Sequence, residues 1–182
     1  IGEDPRVLLP QMVCQDGFFV SHITTDVDLP DMGQVKEFLP DYKHPYPLDP
    51  RHPVSHGPQI MPEQGPPLQL ERARAMEGSM AVIEQAHDEF AKIFGRRYDP
   101  WIEEYKTDDA DVVFFLQGAH GVTARYAINH MRERGAKVGL VRLRTIRPYP
   151  TDRVAEVLSK FKVVGVIETN MGLGSVSSGG SL

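Results

Sequence analysis

The stretch "KVGLVRLRTIRPYPTDRVAEVLSKFKVVGVIETN", Lys137 to Asn170, decides the fold. Its opening alternates. Val138, Leu140, Arg142 and Arg144 fall on one side, and Gly139, Val141, Leu143 and Thr145 on the other. One face is mixed and the other more apolar, as in a strand of period two. Pro148 and Pro150 stop that strand. Thr151 is the expected N-cap of a following helix, and Asp152 suits its positive first turn. Val154, Val157, Leu158 and Phe161 give this helix an apolar face. "VVGVI", Val163 to Ile167, then reads as a second buried strand.

The same alternation extends upstream. "DVVFFLQG" (Asp111 to Gly118) is a short apolar run ending in glycine, and "TARYAINHMRERG" is helical. Ala124, Ala127, Ile128 and Met131 share one face of that helix, and Gly135 ends it. Strand, helix, strand, helix, strand with short links predicts an α/β fold: a parallel sheet with flanking helices and right-handed crossovers. The loops after the strand ends are then "GAHGVT", "RPYPT" and "TNMGLGSVSSGG", on the side where open α/β sheets hold ligands.

Before this unit, Met76, Met80, Ile83, His87, Phe90 and Phe94 recur at spacings of four and three, one stripe of an amphipathic helix. Gly95 is a fitting residue just past its end, and Arg96 and Arg97 suit the negative end of its dipole. Between Pro40 and Pro67 nine prolines fall in 28 residues, which excludes a long helix or a central strand. Tyr42, Tyr46, Leu48, Ile60 and Met61 are anchors that a solvated linker lacks, so the span reads as an extended arm wrapping a neighbouring surface. Ahead of it, "LPDMGQVKEFLPDY" predicts a short helix capped by Asp31 and stopped by Pro40, with Val35, Phe38 and Leu39 on its apolar face. "RVLLPQMVC", Arg6 to Cys14, reads as one strand that needs a partner elsewhere.

The 182 residues are 41% apolar and 25% charged, with a net charge of −5 and one cysteine, Cys14. That balance argues against a nucleic-acid surface. No apolar run approaches the roughly 18–20 residues a membrane span needs, no signal peptide is visible, and a cytoplasmic setting is the simplest reading. One thiol cannot close an internal disulfide or hold an iron–sulfur cluster. Any redox cofactor is expected on another chain or segment.

Few residues announce chemistry. Gly172 and Gly174 fit G-x-G, but residue 177 is serine, and the run follows the third strand rather than the first. It is read as a strand-to-helix corner, with Ser175 to Ser178 offering an N-cap for a helix beyond Leu182. His120, in "GAHGVTAR", is a candidate acid or base at a helix start, but no nearby carboxylate or nucleophile motif supports that role. His87 has only Glu84 within helical reach and is read as a core-edge histidine. Asp108, Asp109 and Asp111 read as a solvated loop.

The Lys137–Asn170 segment resembles the C-terminal domain of transketolase-like thiamine diphosphate enzymes, where a Leu-Arg-Thr-Ile-Arg-Pro strand end precedes a helix and a strand ending in an acid. Gly172, Leu173, Gly174 and Ser175 match the glycine-rich turn that follows there. "VLLPQMVCQDGFFVSH", "DLPDMGQVKEFLPDY", "LDPRHPVSHGPQ" and "FAKIFGRRYDP", in this order, resemble the alpha subunit of 2-oxoacid:ferredoxin oxidoreductases. "GPQIMPEQGPPLQ" looks most like the oxalate branch, and pyruvate and arylglyoxylate enzymes share the build.

The resemblance implies oxidative decarboxylation of a 2-oxoacid by thiamine diphosphate with Mg2+. Electrons would pass through [4Fe-4S] clusters to ferredoxin or another acceptor, and coenzyme A would take the acyl group where a thioester forms. It implies partner subunits: a thiamine-binding beta, a gamma and a ferredoxin-like delta. It places the alpha subunit's catalytic groups before Ile1, so no catalytic, cofactor-binding or metal residue is assigned here. The expected divisions are 1–22, the end of an upstream thiamine-enzyme domain; 23–67, the arm; 68–107, helix and linker; and 108–182, the transketolase-like domain, incomplete at its end. The isolated segment is expected to be poorly stable. A dehydrogenase-complex beta subunit would leave the proline-rich arm unexplained. A nucleotide-binding module without enzymatic activity would leave the first 60 residues unexplained.

Overall fold

A computed structural model describes residues 1–57 and 59–169. The chain divides into two compact units, one of residues 1–12 and 28–97, the other of residues 13–27 and 98–182. The described glycine-run residues stop at Thr169, so the turn expected at Gly172 to Ser178 lies outside the described residues.

The first unit is built on helices. α1 spans Met32–Phe38, and the Asp31 carboxylate accepts from the Gly33 amide at 2.7 Å, the predicted cap. α2 spans Gly65–Phe94. Pro66 and Pro67 are tolerated in its first turn, where their missing N–H groups have no intrahelical acceptor. It ends at Gly95, whose φ of 69° is the left-handed conformation glycine adopts without a Cβ clash. α1 docks on α2 through rings: Phe38 meets Phe90 edge-on at 5.6 Å and Phe94 at 5.7 Å. Gln34 donates to the Ile93 carbonyl at 2.7 Å. Of the predicted α2 stripe Ile83 is buried and Met76, Met80, His87, Phe90 and Phe94 are half-buried, while Ser79 and Val82 beside it are also buried.

Residues 6–14 do not form the expected strand. A strand needs a ladder partner, and the described residues provide none. The segment instead opens on turns, with Val7 buried and Arg6 donating to Gln85 of α2 at 2.6 Å. Arg6 also grips Asp4 at 2.8 and 2.9 Å. These hydrogen bonds hold the Asp4 carboxyl well down, at about 2 against an ordinary 3.8. A depressed carboxylate contributes stability above its unfolded value and loses it as pH falls through the folded one. The Asp4 contribution is therefore expected to vanish between pH 3.8 and about 2. Carboxyl-carbon NMR titration checks this; a midpoint near the ordinary value would show the grip absent.

The second unit is a four-stranded sheet of β1 (Ile102–Tyr105), β2 (Val112–Gln117), β3 (Val138–Leu143) and β4 (Val163–Ile167), in the order β1-β3-β2-β4. β2, β3 and β4 run parallel, as expected. β1 was not anticipated and pairs antiparallel with β3, Glu103 opposite Arg142 and Tyr105 opposite Leu140. The sheet is thus mixed rather than purely parallel. From β2 the chain steps to β3, then returns past β2 to β4. Right-handed crossovers in those two directions put α3 (His120–Glu133) and α4 (Thr151–Leu158) on opposite faces.

Register and burial agree. Leu116, Val138 and Leu140 share a face with Ile128 of α3 and form one apolar cluster. Val113, Phe115, Val141 and Leu143 point the other way and are also buried. β3 is therefore buried on both faces, as an inner strand of an α/β sheet is. α3 buries Gly121, Ala124 partly and Ile128, while Ala127 and Met131 of its predicted face are exposed. α4 has Pro150 rather than Thr151 in the cap position, since Thr151 is already helical. Val154 and Val157 are buried as expected.

Candidate functional site

The most concentrated polar chemistry lies on the α3 face near the C-terminal end of β3. Strand parity puts Arg142 and Arg144 on that face, and β1 places Glu103 directly opposite Arg142. Glu103 is only 8% exposed, and three guanidinium groups surround its carboxylate. Arg142 contacts it at 2.8 Å and Arg144 at 3.2 Å, while Arg125 reaches the other oxygen from α3. A buried carboxylate survives only when paired in this way. Burial, followed by the charges of Arg144 and Arg125, pushes the Arg142 pKa below its ordinary value.

The cluster is framed by aromatic rings. Arg125 lies over the Tyr105 ring at 4.9 Å, and Arg144 over Tyr98 at 5.3 Å. Tyr105 in turn donates to Asn129 of α3 at 2.8 Å. Arg142 crosses α3 at Gly121, where a Cβ would stand 2.4 Å from its Cδ. Glycine at that point is what lets helix and side chain approach.

At the neighbouring strand ends, Gln117 after β2 donates to Glu168 after β4 at 3.0 Å. Glu168 is the acid expected at the end of the last strand. Its other oxygen accepts from the Thr169 amide at 3.0 Å.

Other candidates resolve individually. His120 is exposed at the start of α3. Asp16, 104 residues away in sequence, comes near enough for the His120 charge to help lower its carboxyl pKa. The Phe18 and Phe19 amides, which donate to Asp16, lower it more. Sequence spacing could not reveal that neighbour. His87 Nδ1 lies 2.9 Å from the Ile83 carbonyl oxygen, so the ring serves its own helix.

The acidic loop is more structured than expected. Asp109 pairs with Arg132 at 2.6 Å and Asp111 with Lys162 at 2.7 Å, pinning the opposite end of the sheet. Both carboxyls are held below their ordinary range, first by those hydrogen bonds. Among the described residues no group of three or more histidine, cysteine, aspartate or glutamate side chains could hold a metal ion. Cys14 is exposed and is the one cysteine in the sequence, whereas an iron–sulfur cluster needs several thiolates. These described residues do not fit a metal–diphosphate site or a cluster. No helix among the described residues is long and apolar enough to cross a membrane.

Two family models match in tandem. "Pyruvate flavodoxin/ferredoxin oxidoreductase, thiamine diphosphate-binding" covers residues 2–88, and "pyruvate:ferredoxin oxidoreductase core domain II" covers residues 110–181. Both describe modules of the pyruvate:ferredoxin oxidoreductase class. The chain belongs to the alpha subunits of the 2-oxoacid:ferredoxin oxidoreductase family. It is 40% identical over 176 residues to pyruvate synthase subunit PorA of Pyrococcus furiosus, covering 96% of this chain and 44% of that protein. It is 36% identical over 182 residues to the PorA of Methanothermobacter thermautotrophicus, covering 100% of this chain and 46% of that protein. Against the alpha subunit of NADH-dependent phenylglyoxylate dehydrogenase of Aromatoleum evansii, identity is 33% over 180 residues, covering 94% of this chain and 43% of that protein. The chain thus spans less than half the length of these relatives.

Proposed function

We propose that this chain is part of the alpha subunit of an oxidoreductase that decarboxylates a 2-oxoacid with thiamine diphosphate. The observation that carries the reading is the tandem order of the two matches, thiamine-binding module first and core domain II second. Pyruvate is the favoured substrate, because the pyruvate synthase subunits above are the more similar relatives. Phenylglyoxylate is the second reading, supported by the phenylglyoxylate dehydrogenase subunit.

The role of these residues in that enzyme is to build and hold the subunit. Mg2+, [4Fe-4S] clusters, ferredoxin or a related acceptor, and coenzyme A where a thioester forms belong to the rest of the complex. Beta, gamma and ferredoxin-like delta subunits are the proposed partners. Support for packing against them comes from the apolar side chains left on the surface before α2. Met12, Val13, Leu29 and Leu48 are each at least 79% exposed. Large apolar side chains exposed this far are candidates for burial against a partner.

Affinity purification of the full-length tagged subunit from its natural host tests this. The expected product is a brown complex containing several further subunits and thiamine diphosphate. A colourless monomer free of thiamine diphosphate would refute the assignment.

A further inference from the structure

Three cations meet one carboxylate in the Glu103 cluster, an excess of two positive charges. Among the described residues, Glu103 is the only carboxylate within ion-pair distance of Arg125, Arg142 or Arg144. Such an excess is costly where burial reduces screening. Burial first, and then the charges of Arg144 and Arg125, lower the Arg142 pKa.

The arginines are not sealed in. Their side chains are 44%, 26% and 28% exposed for Arg125, Arg142 and Arg144. Glu103 sits behind them, so an incoming group meets N–H donors first. The site also stands at the C-terminal end of a parallel strand, the edge where open α/β sheets take ligands. Guanidinium forks match the paired oxygens of phosphate. Gly121 leaves the room through which Arg142 reaches this edge.

We propose that Arg125, Arg142 and Arg144 form a binding site for a small phosphate-bearing anion, with Glu103 fixing the three forks in position.

The probe is inorganic pyrophosphate, titrated calorimetrically into the assembled, thiamine diphosphate-saturated complex. Saturable binding is expected, and Arg125→Gln weakens it about tenfold, the effect of one charge-assisted hydrogen bond. Glu103→Gln, assayed below its melting temperature, removes the charge that holds the three forks in position and is expected to bind more weakly than the wild type. Arg125 is the most exposed of the three arginines, so its variant is expected to fold even where Glu103→Gln does not. Equal affinity in the wild type and Arg125→Gln, or no saturable binding in either, overturns the proposal.

Discussion

Replacing Leu140 by alanine is expected to destabilise the sheet domain by about 2–5 kcal/mol. Leu140 is fully buried in β3 and packs with Leu116, Val138 and Ile128. β3 is covered on both faces and paired on both edges, by β1 and β2. A cavity there has no solvent side into which neighbours can relax, so the lost contacts are not recovered. The conservative Leu140→Met keeps most of the volume and should cost less than about 1.5 kcal/mol. The apparent Tm of the full-length subunit in its complex reads both. Equal losses for the two variants would contradict the packing described.

The second large effect belongs to Glu103. Changing it to alanine leaves Arg125, Arg142 and Arg144 facing one another without their shared anion. Breaking a buried pair from one side costs about 3–5 kcal/mol. The partial exposure of the three arginines lowers that expectation to about 2–3 kcal/mol. The cause is electrostatic, so the penalty should shrink as salt is raised. The Leu140→Ala penalty should not shrink in the same way. A Glu103→Ala loss independent of ionic strength would show that the carboxylate acts through packing rather than charge.

The two variants also mark what the sequence could and could not reveal. The β2-α3-β3-α4-β4 run was legible because each piece carries its own period. Val112 to Leu116 and Val163 to Ile167 are continuous apolar runs, and Val154 and Val157 fall at helical spacing. β1 was not legible. "IEEY" has two adjacent glutamates and no apolar run, and its inward Glu103 is tolerated only because three arginines meet it. Those partners come from 22, 39 and 41 positions away, on a helix, on a strand and just past that strand's end. No local pattern announces such a meeting. The register of β1 on β3 creates it.

The reverse error has the same origin. Arg6 to Cys14 has the composition of a strand, but strand formation depends on a partner, and composition does not supply one. α1 and α2 were read correctly because a helix satisfies its own backbone and its caps are local. The family, in turn, was legible from the ordered series of segments along the chain rather than from any catalytic residue.

The most direct test of the central reading is 2-oxoacid-dependent reduction of methyl viologen by the complex purified through this subunit. Pyruvate, phenylglyoxylate and oxalate are offered separately, with thiamine diphosphate present. The expected result is viologen reduction that requires one 2-oxoacid, with pyruvate the fastest of the three. An intact, cofactor-loaded complex that reduces viologen with none of them would contradict the assignment.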